Sequence, residues 1–200
     1  DCADGGEQME RVTYKIAYYL SEMGHIQKSD IDICRYGIEV FIISVLEVAS
    51  LLFISLFAGN FIYTLLFLCS FLPVRVYGGG YHADTRLRCY LLFLAVYALF
   101  SIAVRFEPLI QYGAFLMIIP VLSLAAVTLW APLSGKTVNE RERKKYRRVS
   151  IGFATAEAVI VICSVLLDFY NIYTYIIILG TLTMLLSMIA GKLKNTLRRK

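Results

Sequence analysis

Two histidines, one tryptophan, four prolines and 18% charged residues leave this 200-residue chain short of the parts from which soluble metal or nucleotide enzymes are made. It has no His-Glu-x-x-His string, and two histidines are too few for a conventional zinc cage, so zinc proteolysis is excluded and no metal or other cofactor is expected. A nucleotide P-loop is missing too. Gly135-Lys136-Thr137 has the ending of one, but Trp130 stands where its first glycine is required. No Ser/His or Ser/Lys arrangement suited to a serine intramembrane protease can be placed. The cysteines Cys2, Cys34, Cys69, Cys89 and Cys163 are odd in number and scattered through apolar stretches, which argues against a disulfide framework and for reduced thiols. The start of the chain is polar and acidic and lacks the apolar stretch of a cleavable signal peptide. Residues 1–8 show no apolar pattern and are expected to be a remnant outside the fold, with residues 9–200 forming one domain.

What the chain has in abundance is apolar surface. Hydrophobic residues make up 58% of it, with a mean hydropathy of +0.66, more than a soluble domain of this size can bury. The expected fold class is all-α, a polytopic membrane helical bundle. Because one span takes about 20 apolar residues, six fit: Gly37 to Phe57, Asn60 to Val76, Cys89 to Val104, Leu109 to Ala131, Ile151 to Leu167, and Ile172 to Ala190. Ahead of them, apolar residues at Met9, Val12, Ile16, Tyr19, Leu20 and Met23 recur with a helical period in a segment too polar to span. An amphipathic interfacial helix over residues 9–24 follows, ended by Gly24, and Ser29 with Asp32 reads as a capping box for the next helix. Residues 37–190 then form the transmembrane bundle, and 191–200 a basic cytoplasmic tail.

Charge between the spans sets orientation. Basic residues gather before the first span, between the second and third, between the fourth and fifth, and after the sixth, whereas the alternate links hold only Arg105. By the positive-inside rule both termini, the Arg75 to Arg88 loop and the Lys136 to Arg148 loop face the cytoplasm. The basic segment is accounted for by this rule and by attraction to anionic lipid headgroups; nucleic acid is not an expected partner. Carboxylates within spans cost about 2.5 to 3.5 kcal/mol at mid-bilayer, so Glu39, Glu47 and Glu157 should face the bundle interior. Glu47 suits packing, substrate binding or transport equally. Cys69 and Cys163 read as core residues, and His25 as an ordinary interfacial residue.

The stretch RVYGGGYHADTRLRCY, residues 75–90, is polar and lies between apolar runs. Gly78 to Gly80 interrupt helix and let the chain turn back. His82 precedes Cys89 by seven residues; in one straight helix they would stand about 10 Å apart along the axis, so pairing requires His82 on the turn and Cys89 in the first turns of the third span. Helix N-termini and nearby cations such as Arg86 and Arg88 favour thiolate, the nucleophilic form. His82 would take the thiol proton and return it to a leaving amine. Asp84 could orient the imidazole or cap the helix.

Arg75, Gly80, His82, Ala83 and Cys89 followed by a span, and later Trp130-Ala131-Pro132 leading into Asn139 and the basic segment up to Ser150, resemble the AgrB family (accessory gene regulator protein B) of bacterial quorum-sensing peptide processors. The likeness runs from Met9 onward; where family members often have a proline after a lysine, this chain has Lys136-Thr137-Val138. The resemblance implies a membrane cysteine endopeptidase with Cys89 as nucleophile and His82 as base, Asp84, Arg75 and Gly80 in support. It also implies removal of a precursor peptide's C-terminal tail through an acyl thioester on Cys89, then cyclisation to a thiolactone or lactone. The implied partners are a precursor with an amphipathic N-terminal part and an acidic C-terminal tail, membrane lipids and a second copy of the chain as a homodimer. Lys136, Arg141, Arg143, Lys144, Lys145, Arg147, Arg148 and Glu47 are candidates for holding that peptide. A small transporter or channel is the rival reading; it uses Glu47 but gives no reason for the glycine, histidine and cysteine arrangement.

Overall fold

Helix is the regular structure throughout the described residues of the computed structural model, which are 2–24, 26–81, 86–105, 113–133 and 140–197. The helices are α1 (Cys2–Glu22), α2 (Ile31–Ala58), α3 (Phe61–Gly78), α4 (Arg86–Ala103), the single turn α5 (Gly113–Leu116), α6 (Ile118–Trp130), α7 (Glu140–Leu166) and α8 (Ile172–Leu197). Among the described residues four stretches are long and apolar enough to cross a membrane, Lys28–Ala58, Phe61–Gly78, Glu140–Leu166 and Ile172–Leu197, and Arg88–Ala103 and Ile118–Trp130 are shorter apolar helices. Expected spans 37–57, 60–76, 151–167 and 172–190 correspond to these four long helices, whereas the expected third and fourth spans hold only the two shorter apolar helices, with residues 109–112 outside the described residues; the all-α membrane fold holds.

Contacts divide the chain into two units, Asp1–Phe53 and Ile54–Lys200. In the first, α1 exposes Val12, Ile16, Tyr19 and Met23 along the anticipated apolar stripe. Gly24 follows it at φ +76, a left-handed angle that glycine adopts without strain. The helix begins earlier than the pattern indicated, at Cys2, so residues from Cys2 to Gln8 belong to it. The expected capping box does not form: Ser29 Oγ donates to Asp30 Oδ1 at 3.2 Å, within a 3-10 turn, Lys28–Asp30, that leads straight into α2. On α2, Glu39 is buried and Glu47 half-buried.

In the second unit, α3 packs on α7 and α8, α6 packs on the same two helices, and α7 and α8 meet each other. Phe67 and Phe71 of α3, Val127 of α6, Val161 of α7 and Ile176, Met184 and Met188 of α8 fill the core. Small residues let the helix backbones approach where apolar burial from lipid gives no drive: a Cβ at Gly180 on α8 would overlap Ser70 Oγ on α3. Helix α4 joins α3 through rings, with Phe67 and Phe100 centroids 4.3 Å apart and Phe71 and Phe93 5.9 Å apart. A polar cluster closes the far end. Tyr97 donates to Asn60 Oδ1 at 3.1 Å, the Thr64 and Tyr97 hydroxyls lie 3.1 Å apart, and the Asn60 amide donates to Ser101 at 3.4 Å, so these buried groups are satisfied internally as a bilayer demands.

Two segments expected as loop and tail are helical. The basic run from Glu140 onward is the first part of α7, with Glu140 and Glu142 in its first turn, where carboxylates suit the helix dipole and Glu, Arg and Lys are strong helix formers. The residues after Ala190 continue α8 to Leu197. They fold against neighbours rather than trailing: Lys192 Nζ lies 4.3 Å from the Trp130 ring centroid, Lys194 Nζ lies 5.1 Å from that of Tyr81, and the Asn195 amide donates to the Leu133 carbonyl at 3.3 Å. Between α7 and α8, Asn171 caps α8 by accepting from the Tyr173 and Thr174 amides at 3.0 and 3.2 Å. In the same link burial, with Tyr175 nearby, pushes the Tyr170 phenol up to about 12. Cys69 and Cys163 are exposed, not core residues; each lies on an apolar helix, where burial in lipid and burial in protein leave the same sequence pattern. Glu157 is buried, and His25 lies outside the described residues.

Candidate active site

Helix α3 stops at the glycine triplet because the chain needs angles and clearances that side chains forbid. Gly79 has φ +76, and its amide donates to the Arg75 carbonyl at 3.1 Å, closing the helix end. A Cβ on Gly80 would stand 2.5 Å from Ser187 Oγ, and one on Gly191 would stand 2.8 Å from the Gly80 carbonyl carbon. The turn thus lies directly on α8. From its other side the Leu133 amide, just beyond α6 and the cis Ala131-Pro132 peptide, donates to the Gly78 carbonyl at 3.0 Å.

Arg75 binds this turn to α8. Its Nη1 donates to Ser187 Oγ at 3.3 Å, its Nη2 to the Tyr81 carbonyl at 3.3 Å, and its guanidinium lies over the Phe71 ring, 5.3 Å from the centroid. The Tyr81 amide donates to the same Ser187 oxygen at 3.2 Å. Both backbone groups of Tyr81, the residue before His82, are therefore held by side chains of α3 and α8.

Cys89 is the fourth residue of α4, half-buried. It lines a cavity of about 580 Å³ between α3, α4 and α8. Arg75, Tyr81, Arg88 and Ser187 also line that cavity; Leu92, Phe93, Val96, Leu99, Phe100 and Ala103 continue its wall along α4, faced by Leu179, Leu182, Thr183, Leu186 and Ala190 of α8. The helices run antiparallel, since Tyr175 OH near the start of α8 donates to the Ala103 carbonyl at the end of α4, at 3.5 Å. The polar lining thus collects at the Cys89 end, and the rest is apolar apart from Thr183.

Of the residues singled out in the sequence, Arg75 and Cys89 line one cavity and Gly80 forms the turn at its edge. His82, Asp84 and Lys136 lie outside the described residues. Arg141, Arg143, Lys144, Lys145, Arg147 and Arg148 are exposed on the first turns of α7, none of them in the cavity lining, and Arg147 donates to the Thr128 carbonyl on α6 at 2.8 Å. Glu47 belongs to the first unit. Sequence reasoning missed Ser187, Gly191 and Tyr81. Small residues four apart near the end of a span signal close packing, but nothing in the one-dimensional pattern says that the glycine turn is what packs there.

The Accessory gene regulator B family (AgrB) matches residues 13–189 of the chain. Accessory gene regulator protein B of Staphylococcus aureus (strain bovine RF122 / ET3-1) is 26% identical over 141 residues, 66% of this chain and 72% of that protein. No solved structure matches.

Proposed function

From the match over residues 13–189, this chain belongs to the Accessory gene regulator B family, and we propose that it is a membrane cysteine endopeptidase of quorum-sensing peptide processing. The observation that carries this reading is the position of Cys89, in the first turns of α4 at the polar end of an otherwise apolar cavity, beside a glycine turn held by Arg75 and Ser187.

In the proposed reaction His82 accepts the Cys89 thiol proton, and the sulfur attacks the carbonyl carbon preceding the precursor's C-terminal tail. The C–N bond breaks, His82 returns the proton to the departing amine, and the peptide remains as an acyl thioester on Cys89. A cysteine or serine side chain of the same peptide then attacks that carbonyl and expels the Cys89 sulfur, its proton passing through His82 to regenerate the Cys89 thiol, and a thiolactone or lactone ring closes. Thioester exchange keeps the acyl group activated, provided water is excluded, and the apolar walls suit that requirement. Backbone N–H groups at the start of α4 are suited to the oxyanion, and Asp84 to orienting His82. The exposed cations from Arg141 to Arg148 suit an acidic tail held at the cytoplasmic face.

Co-expression with a precursor that has an amphipathic start, a central cysteine or serine and an acidic end tests the reading. Cys89→Ala and His82→Ala should each stop tail removal while protein levels stay intact. Cleavage retained in both variants rejects the cysteine mechanism, and substrate flux without cleavage favours the transporter.

A further inference from the structure

Resting on that reading, we infer that the cavity beyond Cys89 is the subsite for the residue on the acyl side of the cut bond, and that it selects a large apolar side chain. An acyl group on Cys89 is tethered to that sulfur, so the side chain next to its carbonyl must lie against whatever surrounds Cys89. Toward the membrane interior the nearest cavity-lining residues on α4 are Leu92 and Phe93, one helical turn on, and then Val96, about 10 Å along the axis. Across from them α8 presents Leu182 and Leu186. The polar lining gathers at the Cys89 end in Arg75, Tyr81, Arg88 and Ser187, where Ser187 accepts from Arg75 and the Tyr81 amide and Arg75 also holds the Tyr81 carbonyl; deeper in, among the described residues, Thr183 adds a hydroxyl that donates to the Leu179 carbonyl at 2.8 Å. A polar acyl-side residue entering this slot would lose its water and find little on the Leu92, Phe93, Leu182 and Leu186 walls to replace it, whereas leucine or phenylalanine would bury its surface there. An extended peptide advances about 3.3 Å per residue, so the first three acyl-side residues cover the distance from Cys89 to Val96. The volume of about 580 Å³ accommodates them, within the range of about 300 to 1,000 Å³ usual for ligand sites.

The test uses the full chain, purified into lipid nanodiscs, and two tripeptidyl chloromethyl ketones that end in leucine or in asparagine, whose side chains share the same branching and differ chiefly in polarity. Each alkylates a cysteine by forming a C–S bond and releasing chloride, and Cys89→Ala identifies the labelling that belongs to Cys89. The leucine probe should label Cys89 faster by about tenfold or more. Val96→Phe, which fills the slot, should collapse that preference, and Leu92→Ala, which widens it, should shift preference toward a phenylalanine probe; Ile160→Phe, on an exposed face of α7, should leave it unchanged. Iodoacetamide labelling of Cys89 confirms that each variant keeps an accessible thiol. Equal labelling by the two probes overturns the subsite, as does a preference that survives both Val96→Phe and Leu92→Ala; a lipid tail filling the slot gives the former result. Cleavage of the precursor that depends on Cys89 alongside such a result leaves the peptidase reading standing, whereas cleavage that persists in Cys89→Ala removes both.

Discussion

Gly191→Ala isolates the contact on which the site is built. A methyl at this position would stand 2.8 Å from the Gly80 carbonyl carbon and 2.9 Å from its oxygen, both backbone atoms, and 3.0 Å from Leu133 Cδ2. The leucine tip can move, but the glycine turn can yield only by leaving α8, which would pull Tyr81 from Ser187. Overpacking of this kind costs about 1 to 3 kcal/mol, while alanine in place of glycine within a helix contributes about 1 kcal/mol in the other direction. The net destabilisation runs from near zero to about 2 kcal/mol. Gly152 on α7 supplies the reference, because a Cβ there meets nothing within 4 Å, so Gly152→Ala takes the propensity gain without the overlap. The two variants should differ by about 1 to 3 kcal/mol in equilibrium unfolding of the purified chain in mixed micelles, Gly191→Ala being the weaker. It should also slow tail removal more than its stability loss explains. Equal stabilities would refute the close approach of Gly80 to Gly191.

Tyr97→Phe keeps the ring packing but removes the hydroxyl shared by Asn60 and Thr64, and should cost about 1 to 3 kcal/mol in the same unfolding assay. The raised Tyr170 pKa means that the folded protein keeps a phenolic proton that the unfolded chain releases near its ordinary value of 10.0. Its contribution to stability is therefore full below pH 10 and is lost as the pH rises toward about 12; stability measured across that window should fall less steeply in Tyr170→Phe. A reporter fused after Leu197 should read as cytoplasmic and one placed in the Leu167 to Asn171 link as external, and the opposite pattern would place the basic segments outside.

Helix positions were readable from sequence because hydropathy reports partition into lipid, and every expected span contains an apolar helix. The same property hides orientation within a span. Cys69 and Cys163 read as core but are exposed, because a lipid-facing side chain and a buried one are equally apolar. Helix ends were less legible: the basic runs at Glu140 and after Ala190 end the hydropathic signal, yet the backbone stays helical through both, since charged residues that leave the hydrocarbon remain good helix formers.

The candidate site divides in the same way. The amino-acid order alone determined that a glycine triplet, Arg75, His82 and Cys89 lie within one short polar stretch at a span boundary, because neighbours in sequence cannot be far apart in space. Only the tertiary structure decided that α8, about a hundred residues later, supplies Ser187 and Gly191 to hold the turn and the opposing wall of the cavity. Those contacts depend on which helices pack together and at what depth, and lipid-soluble spans specify this through small residues and a few hydrogen bonds that leave almost no trace in hydropathy.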